Sequence, residues 1–286
     1  MKALRGIGLG VTFALLTVSS FAQQLYISNE PQKSLQLLNL ETTPPQLTTL
    51  LQLSSDLDDL TVNSAGQLIY TVPSLGTVNL YDPVAKQNST LVSGLKLARD
   101  LAIEPGGLTM LIAIYSPGEI VRFNFAAGTT TVLAKKLKTC DGITYDAYGN
   151  LYAVADHNTI VQINPNTGAV VNTLVLEPHH GINGGDGLTY DSYTNSLWAT
   201  HDGTTGVGLL QIPVTAAGLG SEFSLFLTPA LKKTGSAPDG IKSDGKGNLY
   251  IGAIWTAAVY NIPTNTITQN IVVKGADGVS LVPGTY

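Results

Sequence analysis

One sequence pattern recurs along this chain and limits the folds open to it. A stretch of twelve residues at 141–152, Asp-Gly-Ile-Thr-Tyr-Asp-Ala-Tyr-Gly-Asn-Leu-Tyr, returns at 239–250 with the same Asp-Gly-Ile start and the same Gly-Asn-Leu-Tyr end. Weaker or shortened copies make six in all, 38 to 53 residues apart. Self-similarity at such a period is typical of repeat architectures. The aspartates that open the copies are Asp59, Asp100, Asp141, Asp186, Asp239 and Asp277.

Each copy predicts four short strands. A strand such as Gly-Ile-Thr-Tyr meets a Gly-Asn turn and then a second strand, Leu-Tyr-Ala-Val, and two more follow at 160–163 and 170–174. Gly, Asn, Asp and Pro between the runs are hairpin residues. Helical periodicity is essentially absent from residues 23–286. Four strands in about 40 residues are what one blade of a β-propeller needs.

The two ends of the chain complement each other. Residues 277–286 supply only the first, inner strand of a blade, whereas residues 24–55 supply three strands without an inner one. Pairing the two removes the exposed sheet edges that each would otherwise present. The sequence therefore predicts one all-β domain over residues 23–286, a six-bladed β-propeller closed by the N- and C-terminal strands in one blade.

The first 22 residues have the form of a secretion signal. Lys2 and Arg5 precede an uncharged apolar stretch at 7–18, and Ser20-Phe21-Ala22 is a small-x-small cleavage site. The stretch is too short for a membrane anchor. We expect a signal peptide over residues 1–22, cleavage before Gln23, and a secreted protein that is extracellular or periplasmic.

Composition narrows the class of partner. Without Lys2 and Arg5 the chain has 13 basic and 20 acidic residues and no basic run, which argues against nucleic acid and anionic membranes as partners. Cys140 is the single cysteine, so no intramolecular disulfide forms, and it is expected to be a buried filler rather than a nucleophile. Serine-hydrolase, zinc-protease and nucleotide-binding motifs are absent. We expect a monomer that takes a small molecule.

Propeller geometry predicts where that small molecule binds. The inner strands line the central channel, so the six aspartates at their starts should meet at one mouth. Loops between the second and third strands return to the same mouth, as do the loops before the inner strands. The candidate substrate-binding residues on these loops are Arg99, Tyr115, His157, His201 and Trp255, and the candidate catalytic residues are Asp239, His179 and His180.

These residue types also have plainer interpretations. An aspartate at a strand start can cap its own turn, and His179 and His180 can be solvated loop residues rather than a general base or a substrate donor. Six carboxylates around one channel nevertheless repel each other unless something compensates. Arg99, a protonated histidine, raised carboxyl pKa values or a hard cation such as Ca²⁺ or Mg²⁺ would do so.

The Asp-Gly-Ile/Leu…Asp…Gly-Asn-Leu-Tyr repeat resembles that of the regucalcin/gluconolactonase-like superfamily of six-bladed propellers, with strictosidine-synthase-like and NHL-repeat proteins as relatives. The resemblance implies a divalent cation at the channel mouth, held in that family by a Glu, two Asn and an Asp. Pro238-Asp239-Gly240 is similar to the family's Pro-Asp-Gly, whose aspartate is both ligand and proposed base. Aspartate stands where the family has its other ligands, so the implied metal set is Asp59, Asp141, Asp186 and Asp239.

Three functions remain open at the level of the sequence. The first is a metal-assisted hydrolase of lactones or esters, in which Asp239 or His180 activates water. The second is a non-hydrolytic biosynthetic enzyme, a lyase or a pericyclase such as a hetero-Diels–Alderase, that shapes a polyketide- or terpenoid-like substrate. The third is a ligand-binding or scaffold propeller without chemistry.

Overall fold

The computed structural model describes residues 23–176, 184–202, 206–235 and 237–286. The described residues form six antiparallel sheets, five of them built from strands that follow one another in the chain and one that joins the last strand to the first three. The innermost strand of every sheet contacts the innermost strands of its two neighbours, and these contacts run in a closed cycle. The six sheets are therefore the blades of a six-bladed β-propeller, which confirms the predicted fold class.

The first half of the chain supplies most of blade 1 and all of blades 2 to 4. Blade 1 contains β1 (Gln24–Asn29), β2 (Ser34–Asn39) and β3 (Gln46–Gln52). Blade 2 contains β4 (Leu60–Val62), β5 (Leu68–Val72), β6 (Thr77–Asp82) and β7 (Gln87–Ser93). Blade 3 contains β8 (Ala98–Ile103), β9 (Thr109–Ile114), β10 (Glu119–Asn124) and β11 (Thr129–Ala134). Blade 4 contains β12 (Cys140–Tyr145), β13 (Leu151–Ala155), β14 (Thr159–Ile163) and β15 (Val170–Val175).

Two further blades and a returning strand complete the ring. Blade 5 contains β16 (Gly184–Asp191), β17 (Ser196–His201), β18 (Gly208–Thr215), β19 (Gly218–Leu219) and β20 (Ser224–Leu227). Blade 6 contains β21 (Pro238–Ser243), β22 (Asn248–Ala253), β23 (Thr256–Asn261) and β24 (Thr266–Val272). The last strand, β25 (Ala276–Leu281), pairs with β1 as the inner strand of blade 1, as predicted.

Blade 5 is larger than the four-stranded blade that the repeat predicts. Both β19 and β20 pair with β18, and the helix α1 (Pro229–Thr234) follows them. These elements occupy the longest of the repeat spacings, which gives them the room. No helix within the described ranges is long and apolar enough to cross a membrane.

Apolar side chains hold each blade against the next. Ile143 and Ala153 of blade 4, for example, pack with Leu111 of blade 3 in one fully buried cluster, which also contains Cys140. The thiol of Cys140 is free and buried, so the predicted filler role is confirmed. Burying such side chains stabilises the folded state by about 25 cal/mol for each Å² of apolar surface removed from water. This packing holds the blades, and the loops at the channel mouth, in place.

Candidate functional site at the channel mouth

The aspartates of the repeat lie in irregularities at the starts of the inner strands. In blade 4, Cys140 pairs with Ala155 and Ile143 with Ala153, so β12 has one residue more than β13 between these two pairs. Such a β-bulge re-aims side chains out of the regular alternation. The register shifts by one residue in the same way at Asp100, Asp239 and Asp277, and by two residues at Asp186.

The glycine that follows four of the aspartates has a packing role. A Cβ on Gly142 would lie 2.6 Å from the carbonyl oxygen of Asp186, and one on Gly187 would lie 2.2 Å from that of Asp239. Inner strands of neighbouring blades approach too closely at these points for any side chain. In the Asp-Gly pair of the repeat, the bulge thus changes the direction of the aspartate side chain, and the glycine allows close contact with the next blade.

The channel itself is narrow. Its cavity has a volume of about 30 Å³ and is lined by five of the repeat aspartates together with Asp58, Arg99 and Lys242. That volume holds an ion or one to two water molecules. An organic ligand must therefore bind above the ring of carboxylates rather than inside it.

Lys242 offsets the negative charge of one part of the aspartate ring. Its Nζ lies 3.4 Å from Asp59 Oδ2 and 3.5 Å from Asp100 Oδ1. Burial lowers the pKa of the Lys242 ammonium, but the two carboxyl groups raise it by more, so the lysine stays charged. Burial raises the pKa of Asp59 well above its usual range, and Asp100 adds to this while Lys242 opposes it.

Arg99 offsets the negative charge of a second part of the aspartate ring. Its guanidinium forms an ion pair with Asp58, and its Cζ lies 5.3 Å from the centroid of the Tyr115 ring. Asp58 and Arg99 occupy the same position in adjacent blades, one residue before the repeat aspartate. Burial raises the pKa of Asp58 to about 7, although Arg99 lowers it.

A third group consists of Asp141, Asp186 and His157. One potential ligand atom from each lies within 4.8 Å of the other two. His157 Nε2 is 2.9 Å from the Tyr115 hydroxyl, and its Nδ1 is 3.9 Å from Asp141 Oδ2. Burial and the charge of Asp186 raise the pKa of Asp141 to about 8, while burial and Asp239 raise that of Asp186 to about 7.

Asp141 provides the direct test of whether this group fits a cation. Its side chain is almost completely buried, and its Oδ2 has no hydrogen-bond partner among the residues that the structure describes. An unpaired buried carboxylate oxygen costs free energy unless an ion or a water molecule satisfies it. Two carboxylates and an imidazole are a donor set that divalent cations accept. The three residues therefore fit the cation that the family resemblance implies.

Asp239 and Asp277 form the remaining pair. Their side chains hydrogen-bond to each other, and burial together with Asp239 raises the pKa of Asp277 well above its usual range. Asp277 does not line the channel but faces a neighbouring cleft, and Asp239 lines both. Trp255, 41% exposed, forms part of the wall of this cleft.

The structure brings most of the predicted residues to the channel mouth, but it places them in two separate groups. Arg99, Tyr115 and His157 form one connected group with Asp141 and Asp186, while Trp255 and Asp239 lie at the cleft. Asp59 contacts Lys242 instead of joining Asp141 and Asp186. His201 is completely buried in β17, and His179 and His180 lie outside the described residues. The catalytic, substrate and metal roles stay predictions.

The repeat alignment missed three charged residues at this mouth: Asp58, Lys242 and Lys274. A signal existed for one of them. Lys242 is the third residue after Asp239, and the corresponding residues of the other copies, which are Val62, Ile103, Thr144, Thr189 and Ser280, carry no charge. Nothing comparable marks Lys274, whereas Glu30 lies on a loop that the repeat predicts at this mouth.

Solved structures of similar fold are numerous. One chain of a nidogen/laminin complex matches with 16% identity and a TM-score of 0.74 over 91% of this chain and 98% of that one. A gluconolactonase from Xanthomonas campestris matches with 12% identity and a TM-score of 0.67 over 89% and 86%. Virginiamycin B lyase from Staphylococcus aureus matches with 17% identity and a TM-score of 0.60 over 89% and 84%.

At these identities the matches establish a shared fold and leave activity open. No protein-family model matches the sequence, and no curated protein shows significant sequence similarity to it. The resemblance drawn from the repeat is therefore confirmed at the level of the propeller fold.

Proposed function

We propose that this protein is an enzyme that hydrolyses lactones or esters of small molecules at the channel mouth, with the help of a divalent cation. The observation that carries the proposal is the buried Oδ2 of Asp141, which has no hydrogen-bond partner among the described residues and faces a histidine and a second carboxylate. The gluconolactonase among the structural neighbours supports the reaction class by analogy of fold.

Asp141, Asp186 and His157 would hold the cation, and it would supply polarisation of the substrate carbonyl. The Tyr115 hydroxyl, 2.9 Å from His157 Nε2, orients the imidazole for that purpose. Hydrogen bonds to the second nitrogen of a metal-binding histidine commonly fix its ring in this way. Arg99, held by Asp58 and packed over Tyr115, keeps the tyrosine in place.

Asp239 is the residue placed to accept a proton. It lines both the channel and the cleft, so its carboxyl group lies at the boundary between the ion-sized cavity and the ligand-sized one. Its hydrogen bond with Asp277 gives it a partner that can share the proton it takes from water. His180 remains the alternative base that the sequence predicts.

The test is hydrolysis of a panel of aryl esters and γ- and δ-lactones by chelator-treated protein, with and without added Ca²⁺, Mg²⁺, Mn²⁺ or Zn²⁺. We expect turnover only with metal, a loss of about 100-fold or more in Asp239→Asn, and no change in Glu222→Gln, an exposed acid of blade 5. Incorporation of ¹⁸O from labelled water separates hydrolysis from elimination. Metal-independent turnover, or full activity of Asp239→Asn, would refute the proposal.

A further inference from the structure

A cleft of about 380 Å³ lies beside the aspartate ring, between blades 6 and 1. Three loops form its walls: the β22–β23 hairpin with Ile254 and Trp255, the β24–β25 connection with Lys274, and the β1–β2 hairpin with Glu30 and Pro31. The volume falls within the range of small-molecule sites. This cleft, rather than the channel, has room for an organic ligand.

Backbone hydrogen bonds hold the three walls together. Gly275 N donates to the carbonyl oxygen of Ile254 at 2.6 Å, and Glu30 N donates to that of Gly275 at 3.2 Å. Gly275 has a φ of +86°, and a Cβ there would lie 2.3 Å from Pro31 Cγ, so only glycine allows the walls to meet. The cleft is therefore formed before a ligand arrives, which lowers the entropic cost of binding.

The lining carries more negative than positive groups. Glu30, Asp239 and Asp277 supply three carboxyl groups, and Lys274 supplies one ammonium group. Burial raises the pKa of Glu30, and the negative charges of Asp56 and Asp239 raise it further, while Arg99 lowers it. An anionic ligand would be repelled here, whereas a cation would find complementary charge.

The indole of Trp255 adds a second feature that favours a cation. Lys274 Nζ lies 5.4 Å from the centroid of the Trp255 ring, within the range of a cation–π contact. The chain thus already places an ammonium group against this ring. A ligand ammonium would make the same contact while facing the carboxyl groups of Glu30 and Asp277.

We propose that the cleft is a binding site for the ammonium group of a small organic molecule, with Trp255 as the aromatic wall, Glu30 and the Asp239–Asp277 carboxyl pair as counter-charges, and Lys274 as an internal competitor for the ring. The inference goes beyond the proposed hydrolysis and does not depend on it. It predicts selection by charge among molecules of equal size and shape.

Three probes of equal length test this selection: n-butylammonium, n-butanol and butyrate. Binding is measured by isothermal titration calorimetry at constant ionic strength, with chelator-treated protein so that no added cation takes part. We expect n-butylammonium to bind at least tenfold more tightly than n-butanol, and butyrate not to bind. Equal affinity for the alcohol, or preference for butyrate, would overturn the proposal.

Variants separate a binding role from a structural one. Trp255→Leu and Glu30→Gln should each weaken n-butylammonium binding at least fivefold, and Glu222→Gln should leave it unchanged. Lys274→Met should strengthen it at least threefold, because the competing ammonium is gone. Weaker binding in Lys274→Met, or unchanged binding in both Trp255→Leu and Glu30→Gln, would contradict the site. Ammonium binding without ester hydrolysis would refute the proposed function alone.

Discussion

At the scale of single residues, Lys242 divides the aspartate ring into separate groups of carboxylates. By holding Asp59 and Asp100 it removes them from any shared ligand set, and Arg99 does the same for Asp58. Asp239 and Asp277 hydrogen-bond to each other. Among the described residues, Asp141 and Asp186 have no lysine or arginine in an ion pair and lie beside His157. This division is why we propose two aspartates and a histidine for the cation, rather than the four aspartates that the resemblance implies.

Removing the lysine should expose its role. Lys242→Met leaves two buried carboxyl groups without their ammonium partner, and breaking a buried ion pair from one side typically costs about 3–5 kcal/mol. We expect a loss of that size in the free energy of unfolding at pH 8, measured with chemical denaturant. Lys246→Met, in an exposed turn of the same blade, is the matched control. Equal stability of the two variants would contradict the assigned role.

The carboxyl groups also predict a pH dependence. The pKa values of Asp58 and Asp141 are raised to about 7 and about 8 in the folded state, so between about pH 4 and 8 the folded protein binds more protons than the unfolded chain. Stability then falls as pH rises through this window. Without added metal we expect the protein to lose at least about 1 kcal/mol from pH 5 to pH 8, or about 2–4 °C in Tm.

Asp141→Asn provides the control for this titration, because it removes one of the ionising groups and should flatten the curve. Saturating divalent cation should flatten it as well, since a bound cation stabilises the ionised carboxylates. Stability that stays constant or rises from pH 5 to pH 8 in the metal-free protein would contradict the raised pKa values of these carboxyl groups.

Sequence reasoning reached some of these residues and not others for physical reasons. The repeat aspartates could be found because each copy supplies one at the start of its inner strand, in five of the six copies at a register shift. Their division into pairs could not, because it depends on Lys242 reaching across the channel from blade 6 to Asp59 and Asp100 of blades 2 and 3. Lys274 lies on the connection between β24 and β25, where no internal copy marks a position.

The Asp-Gly bulge is the element that defines this propeller's inner ring. Gly187→Ala places a Cβ 2.2 Å from the carbonyl oxygen of Asp239, so the inner strands of blades 5 and 6 must separate. Overpacking of this kind typically costs about 1–3 kcal/mol. We expect a loss of at least about 2 kcal/mol in the free energy of unfolding, measured with chemical denaturant.

Gly149→Ala is the comparison for this substitution. Gly149 has a φ of +83° and open space around its Cβ position, so alanine there meets strain in the backbone alone. It should cost about 1–2 kcal/mol, the penalty for an L-residue with a Cβ in the left-handed conformation. A smaller loss in Gly187→Ala than in Gly149→Ala would contradict the packing role of the Asp-Gly pair.

Blade 5 shows where element prediction from sequence ends. The spacing of 53 residues indicates extra chain but not its structure. β19 is only two residues long, and α1 is a single short helix that ends at Thr234 and is capped by Gly235, which has a left-handed φ of 73°. Elements of this size carry too few residues for hydrophobic periodicity to reveal them. Their presence depends on packing against the finished blade.

Closure of the ring is the feature that governs the molecule as a whole. β25 pairs with β1 through Leu25–Leu281, Tyr26–Ser280 and Ile27–Val279, so a strand from one end of the chain completes a blade from the other. Removing residues 277–286 should unfold the protein, because it deletes the inner strand of blade 1 and exposes the edge of β1. A truncated protein that melts cooperatively at the wild-type temperature would contradict this closure.

The central claim is that the mouth of this closed ring holds one divalent cation on Asp141, His157 and Asp186. Isothermal titration calorimetry of chelator-treated protein with Ca²⁺, Mg²⁺, Mn²⁺ and Zn²⁺ tests it most directly. We predict one binding site per chain for at least one of these ions. The double variant Asp141→Asn/Asp186→Asn should lose this binding, and His157→Ala should weaken it at least tenfold. The variant Asp59→Asn should still bind the ion. The claim is contradicted if no ion binds, or if binding survives in the double variant and disappears in Asp59→Asn.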